Sequence, residues 1–328
     1  MTLFSSIFRR VFCLGGVAII LIPIQAQNPS RVDSAPAAAA AESIVRAQTK
    51  NIDFHLTDRI IVHIATLDGH LASTHGSMPV FDDKESFALD VDSANISVST
   101  EALSNDLNDF VFSKPGAPLR KLSVTTRGNE LVLKGLLSGK GDIPFETDGT
   151  LTATADGRIR VHAVKVRALH LPVKGLMDML GLDIAKMIDT RKVNGVSTEK
   201  DDLILDPQQL LPPPQMRGHL TSIQIEDGEI VLLFENPEAK GHRPVISSTC
   251  GGRNFQSFKG GAVRFGKITM NDADLELIDS DPTDPFDFSI DHYKEQLVAG
   301  YSKMTRQGGL CVHMPDYSKI KQNFSSKH

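Results

Sequence analysis

The feature that most constrains the fold is a run of short alternating segments between residues 119 and 167. Apolar and polar residues alternate in each segment, as in strands that have only one buried face. Two of the segments meet at Asp156-Gly157, and a second Asp-Gly pair stands at 227–228. Asp-Gly between alternating segments is a strong hairpin signal, because the central residues of a tight turn favour positive φ. The pattern predicts an antiparallel meander that is covered on one side only.

Two other segments have the apolar spacing of helices. Thr100–Phe112, which Ser99 or Thr100 can cap, repeats apolar residues on one face. Val173–Ile188 follows Pro172, which is tolerated at a first helical position, and carries a longer apolar stripe. The expected fold is therefore α+β, with a long curved antiparallel β-sheet wrapped around two amphipathic helices.

The N-terminus predicts export. Arg9-Arg10 precedes an apolar run over residues 11–24, and Ala26 offers a small residue for cleavage. A run of this length is short of the ~20 apolar residues that a membrane-spanning helix needs. We therefore expect a cleaved signal rather than a retained anchor, and a periplasmic or envelope location.

Shifts in composition divide the rest of the chain. Residues 1–27 are predicted to be the signal peptide, and residues 28–50 an Ala/Pro-rich tether that ends in a short helix from Glu42 to Lys50. Residues 51–236 are predicted to form the main α+β domain. A stretch rich in Pro, Gly, Ser and Lys follows, so residues 237–328 are predicted to be a C-terminal β-rich extension with a helix near 290–301.

Two cysteines follow the signal, Cys250 and Cys311. In an exported protein, two cysteines most simply form one disulfide. The alternative is a pair of unrelated buried thiols.

Charge and motifs argue against several functions. The formal net charge of −5 disfavours nucleic acid as a partner, because phosphate binding depends on clustered Lys and Arg. No nucleophile elbow, zinc motif or phosphate-binding glycine loop is present, so we expect neither an enzyme nor a cofactor.

One acidic cluster lies between residues 271 and 291. It could hold Ca²⁺, which needs six to eight converging oxygens, but the spacing does not match an EF-hand loop. We favour a solvated acidic loop and expect no metal.

The apolar helix faces admit two interpretations. They could be ordinary core against the sheet, as most such faces are. They could also line a groove for an apolar ligand, which flexible methionine side chains would suit. The residues predicted to line such a groove are Leu103, Leu107, Phe110, Leu176, Met177, Leu180, Ile184 and Met187.

Three stretches of the chain resemble a known family. They are Ile96-Ser-Val-Ser with the helix that follows, the meander through Gly149-Thr-Leu-Thr-Ala-Thr-Ala-Asp-Gly, and Leu169-His-Leu-Pro-Val leading to the segment that starts at Leu220. Together they resemble the bacterial lipid-binding family known as DUF2993 or LmeA-like, whose fold is related to the tubular lipid-binding (TULIP) proteins. The resemblance implies export, an elongated sheet wrapped on helices, and phospholipid held between them.

The sequence thus predicts an exported, non-enzymatic protein that binds phospholipid or another apolar ligand and serves envelope lipid handling. Contact with a membrane surface is left open. Two rival functions remain: a structural or protein-interaction module of the envelope without a ligand cavity, and a hydrolase whose site is assembled from distant residues.

Overall fold

The structure is a computed structural model. It describes residues 44–138, 142–168, 193–200, 202–237 and 245–325. The predicted signal peptide, the tether up to residue 41 and the predicted helix over 173–188 lie outside these residues.

The described residues are mostly β-sheet, with few helices, which confirms the α+β class. They form nineteen strands: β1 Val45–His55, β2 Ile61–Ser73, β3 Phe87–Ser99, β4 Leu119–Arg127, β5 Glu130–Leu137, β6 Ile143–Ala153, β7 Ile159–Ala168, β8 Val196–Glu199, β9 Asp202–Leu205, β10 Gln215–Arg217, β11 Leu220–Glu226, β12 Glu229–Glu235, β13 Phe255–Lys259, β14 Val263–Phe265, β15 Ile268–Met270, β16 Asp274–Asp279, β17 Phe286–Ser289, β18 Tyr301–Met304 and β19 Leu310–Met314.

Helices are short in the described part of the chain. Four are α-helical: α1 Thr100–Asp106, α2 Pro207–Leu210, α3 Tyr293–Ala299 and α4 Tyr317–Ser325. A π-helical turn, Leu107–Val111, continues α1 directly. The predicted helices at 100–112 and 290–301 are thus present, each with somewhat narrower bounds.

The strands form two large sheets instead of the single long sheet that was predicted. The first has eleven strands in the order β11-β12-β3-β2-β1-β13-β16-β19-β18, with β10 also paired to β3 and β17 to β1. Most of its pairs are antiparallel, but β1–β17, β3–β10 and β16–β19 are parallel. A separate two-stranded ribbon pairs β14 with β15.

The second sheet contains the predicted meander. Its order is β4-β5-β6-β7-β9-β8, and all its pairs are antiparallel. Its β6–β7 hairpin turns at Asp156-Gly157, where Gly157 alone of the two has a positive φ, +81°. The prediction placed the hairpin correctly, but the turn needs only one left-handed residue.

The predicted short helix from Glu42 to Lys50 is wrong. Residues from Val45 onward form β1, which pairs with β2 on one side and with β13 on the other. Val45, Ala47 and Thr49 are buried and the residues between them are not, which is the strand period of two. Pairing on both edges outweighs the local helix propensity of Ala and Gln.

The boundary predicted near residue 237 does not divide the chain into two compact units. Residues 42–328 form one unit, and β13, β16, β17, β18 and β19 join the first sheet through β1. One aromatic-rich core contains Val45 and Ile52 from the start of that unit together with Phe258 and Phe286. The β-rich C-terminal part therefore completes the sheet that the N-terminal strands begin.

A disulfide joins Cys250 to Cys311, as predicted, with the two Cα atoms 6.0 Å apart. Cys311 packs beside Phe255 and Ile278 in a small separate cluster of buried residues.

Candidate functional site

The candidate site is an apolar cavity between the two sheets. Its volume is about 260 Å³. One wall is the inner face of the six-stranded sheet, and the opposite wall comes from β3, β10 and β12 of the first sheet, with α1 and the π-helical turn at one side.

Strand alternation builds the larger wall. The cavity-lining residues of β5, β6 and β7 are all odd-numbered, because alternate side chains of a strand face the same side. In β7 they end at Ala163, since the β6–β7 register shifts between Asp148 and Gly149 and Arg167 beyond the shift lies on the opposite face. The apolar residues from these three strands are Leu131, Leu133, Leu137, Phe145, Gly149, Leu151, Ile159, Val161 and Ala163.

The outer face of the same sheet is charged. Asp148 pairs with Arg127 at 2.9 Å and with Arg167 at 3.0 Å, and Glu146 pairs with Arg167 at 2.7 Å and with Lys134 at 3.3 Å. Glu146 and Asp148 alternate along β6 with the cavity-lining Phe145 and Thr147. The sheet is thus apolar toward the cavity and ion-paired away from it, which confirms the predicted one-sided pattern.

The first sheet contributes the opposite wall. Its lining residues there are Val98, Met216, Ile230, Leu232 and Phe234. Phe234 is 1% exposed and also belongs to the mainly aliphatic core beside the cavity. That core includes Ile159 of β7, so the two sheets are in direct contact next to the cavity.

Helix α1 starts at a well-formed cap. Ser99 has extended backbone angles, and its Oγ accepts a hydrogen bond of 3.0 Å from the amide of Ala102. Leu103 and Leu107 then face the cavity one turn apart.

Polar side chains of α1 attach the helix to β4. Ser104 Oγ accepts from the amide of Val124 at 2.8 Å, and Asn108 bonds both the amide and the carbonyl of Leu122, at 2.8 and 2.7 Å. The β4–β5 register shifts between Arg120 and Ser123. β4 is also the edge strand of its sheet, so its backbone groups that point away from β5 have no strand partner, and the helix side chains satisfy them.

The residues predicted to line a groove are placed differently in the structure. Leu103 and Leu107 line the cavity. Phe110 is 36% exposed and is not among the lining residues. The other five, Leu176, Met177, Leu180, Ile184 and Met187, lie outside the described residues.

Sequence reasoning missed the strand residues of the wall. It recognised the alternation but assigned the ligand surface to helices alone. The period of two marked these residues as facing one side of their sheet. Their face becomes a cavity wall only because the eleven-stranded sheet lies opposite it, and no local pattern specifies that position.

Asp106 is the polar exception in the wall. Its side chain lines the cavity, the residue is 3% exposed, and its Oδ1 has no hydrogen-bond partner among the described residues. Burial, with a smaller contribution from the charge of Asp109, raises the pKa of the Asp106 carboxyl to about 7. Asp106 lies on the same helical stripe as Leu103 and Leu107, so the sequence did carry a signal for it.

The other lining residues offer little polarity. Asp106 and Thr147 are the only polar side chains among the described lining residues, and none of those residues is Lys, Arg or His. The site can therefore hold a hydrocarbon group, and it has no described cation to neutralise an acidic one.

The acidic segment near residue 280 is a second cluster. Carboxylate oxygens of Asp281, Asp284 and Asp316 lie within 4.8 Å of one another. Lys319 Nζ is 2.7 Å from both Asp281 and Asp316, and its hydrogen bond to Asp281 lowers the pKa of that carboxyl to about 2. The cluster thus already contains a cation of its own.

A His–Asp pair is the third group of interest. His55 Nε2 lies 2.5 Å from Asp287 Oδ1, and Asp287 Oδ2 accepts from the amide of Ser318. His55 Nδ1 is buried and has no partner among the described residues. Neither ring nitrogen has a described hydroxyl or thiol partner, so the pair ties the start of α4 to the sheet without the geometry of a nucleophile and base.

Comparisons with models of protein families, with curated proteins and with solved structures find no significant match. Within the described residues, no helix has both the length and the apolar character needed to cross a membrane.

Proposed function

We propose that this protein is exported and binds the hydrocarbon chain of a lipid, or a similar apolar ligand, in the cavity between its two sheets, without catalysing a reaction. The observation that carries the proposal is the cavity wall, where Asp106 and Thr147 are the only polar side chains among the described residues. Ligand sites typically combine an apolar lining with a few polar groups.

The cavity volume narrows the ligand. At about 260 Å³ it lies near the lower end of ligand pockets, which span roughly 300–1,000 Å³. This size suits one hydrocarbon chain better than a whole two-chain phospholipid. In this proposal a phospholipid would bind by one chain, with its head group outside the described wall.

The family resemblance supports the same function and belongs to the proposal. Two of its three stretches border the cavity: the Ile96 stretch leads into α1, and the meander forms the larger wall. The third begins at Leu169, outside the described residues. A TULIP-like arrangement with two amphipathic helices is therefore also proposed, together with phospholipid as the ligand class, a role in envelope lipid handling and a periplasmic or envelope location.

Native mass spectrometry of the mature protein tests the proposal directly. The protein would be purified from the envelope fraction without detergent. We expect a bound mass that extracts into organic solvent and is identified as a lipid. A folded protein with only its own mass, and with no affinity for an added hydrocarbon probe, would contradict the proposal.

A matched pair of variants shows whether binding takes place in the cavity. Val161 lines it, whereas Val164 on the same strand is 53% exposed. We expect Val161→Trp to fill the cavity and weaken binding of the uncharged probe diphenylhexatriene at least about tenfold, and Val164→Trp to leave binding unchanged.

Tryptophan fluorescence of these variants also shows whether each introduced side chain is buried. The chain contains no tryptophan, so each variant has a single one. The indole at position 161 should emit at shorter wavelength than the indole at 164, because it lies away from water. Equal loss of probe binding in both variants would contradict a site between the sheets.

One observation favours the interaction-module alternative. The edge strand β18 is exposed at all four positions, and Tyr301 and Met304 are 51% and 74% exposed. An exposed edge can accept a strand from another protein. Absence of co-purified lipid, together with a protein that co-purifies with wild type but not with a Ser302→Pro variant, would favour this function.

A further inference from the structure

The Asp106 Oδ1 atom is buried and has no hydrogen-bond partner among the described residues. Asp106 is buried in the wall between Leu103 and Leu107. Buried polar side chains are nearly always satisfied, and an exception calls for an explanation.

The neighbouring polar groups are already engaged. Ser104 and Asn108 bond to the backbone of β4. Asp109 pairs with Arg59 at 2.8 Å, on the solvent side of the helix. Arg59 is thus committed to another carboxylate.

We propose that Asp106 binds a hydroxyl group on the hydrocarbon ligand, so that the cavity takes a single chain bearing an uncharged alcohol. This inference rests on the proposed function and adds the chemical class of the ligand. Thr147, the other polar side chain in the wall, is the second group that such a hydroxyl can meet.

The wall disfavours an anionic head group. No described lining residue is Lys, Arg or His, so a carboxylate or phosphate placed there would be buried without a counter-charge. The Asp106 carboxyl, where ionised, would repel it as well.

A hydroxyl fits better than an ammonium group. A hydroxyl both donates and accepts, so it can bond a protonated or an ionised carboxyl. An ammonium has three donors and no acceptor, and the described wall offers only Asp106 and Thr147 to meet them.

The test compares three ligands that share one chain: 1-dodecanol, dodecanoate and dodecylamine. Each displaces diphenylhexatriene from the mature protein at pH 7. For wild type we expect dodecanol to bind about tenfold more tightly than either charged ligand, which corresponds to one bidirectional hydrogen bond without a charge-burial penalty.

Two substitutions separate hydrogen bonding from charge. Asp106→Asn keeps the shape and the ability to donate and accept, so dodecanol affinity should stay within about threefold of wild type. Asp106→Leu removes the partner, so dodecanol affinity should fall about five- to tenfold while diphenylhexatriene affinity is unchanged. Asp109→Asn is the matched control one turn away, and it should bind dodecanol and diphenylhexatriene as wild type does.

The outcomes separate the two proposals. Unchanged dodecanol affinity in Asp106→Leu, with the probe still bound, would overturn the hydroxyl assignment and leave the lipid-binding function standing. Preference for dodecylamine, lost in Asp106→Asn, would overturn it in favour of an amine. Failure of wild type to bind the probe or any chain would overturn the proposed function itself.

Discussion

The molecule contains two apolar regions that are packed to different degrees. In the aromatic core, Phe81 lies 3.8 Å from Phe265, 5.1 Å from Phe87 and 5.2 Å from Phe258, measured between ring centroids. Phe286 and Phe288 in the same core have no solvent exposure. Flat rings fill this core, to which strands from both ends of the described chain contribute.

The region between the two sheets is mostly aliphatic and holds the cavity. Its lining side chains from β5 are half-buried, and Leu133 and Leu137 pack only at the border of a small cluster around Leu119 and Leu122. Both regions are strongly apolar, yet only one of them is filled. Hydrophobicity alone thus does not distinguish core from binding site, whereas packing density does.

The largest expected effect comes from one substitution made in both regions. Leu277 has no solvent exposure in the aromatic core, and Leu277→Ala should lower the free energy of unfolding by about 3–5 kcal/mol through lost transfer energy and a new void. Leu133→Ala borders an existing cavity and should cost only about 1–2 kcal/mol. Urea unfolding measures the free energy of unfolding of both variants. Equal losses would show that the two regions are packed to the same degree.

The disulfide should stabilise the protein without affecting the cavity. Cys250 and Cys311 are 61 residues apart in sequence. Replacing both with Ala should lower the free energy of unfolding by about 2–4 kcal/mol, because the unfolded chain gains freedom. Diphenylhexatriene affinity should not change, and reduction of wild type is the matched control. Loss of probe binding in the folded double variant would show that the two regions are coupled.

Asp106 should make stability depend on pH. Its pKa is raised from 3.8 to about 7, so the folded protein holds a proton that the unfolded chain releases between these values. Stability therefore falls as pH rises through this window. Between pH 5 and 8 wild type should lose about 2–3 kcal/mol relative to Asp106→Asn.

Comparing wild type with Asp106→Asn cancels the contribution that other titrating groups make to the pH dependence of stability. Burial also raises the pKa of Asp279 to about 6, but its carboxyl is present in both proteins. A difference between the two proteins that stays constant from pH 5 to pH 8 would show that the folded-state pKa of Asp106 is not raised.

The smallest expected effect concerns the cap of α1. Ser99→Ala removes the acceptor for the Ala102 amide and should lower the free energy of unfolding by about 1 kcal/mol. Because α1 forms one side of the cavity, probe affinity should fall about twofold as the helix start loosens. Ser99→Asp keeps an acceptor at the cap and should restore both values. An unchanged Ser99→Ala protein would show that the contacts with β4 alone hold the helix.

Local patterns predicted much of the fold. Alternation and turn residues identified four strands of the six-stranded sheet, β4 to β7, and a cap at Ser99 or Thr100 with the apolar stripe after it identified α1. The same reasoning failed at β1, because its strand state depends on partners about 200 residues downstream, such as Lys259 opposite Arg46. Local propensity there is weak and tertiary pairing decides the outcome.

The candidate site was predicted only in part, because most of it also depends on contacts between distant segments. Leu103 and Leu107 were identified from helical spacing, but the greater part of the described wall comes from strands whose inward faces oppose another sheet. Leu131 and Leu133 have the sequence pattern of any half-buried strand. The packing of distant segments decides which half-buried faces meet and how tightly they pack. The sequence of a single strand does not specify this.

The position of β1 also has a consequence during synthesis. One edge of β1 can pair with β2 soon after both are made, but its other edge waits for residues 255–289, near the end of the chain. Such distant pairing slows folding and leaves a bare strand edge on the nascent polypeptide. Arg46, Lys50 and Asp53 put charges along that strand, and charges of this kind discourage premature association with other chains. A late-closing sheet keeps the polypeptide unfolded for longer, which in the proposed export is the state that a translocation channel accepts.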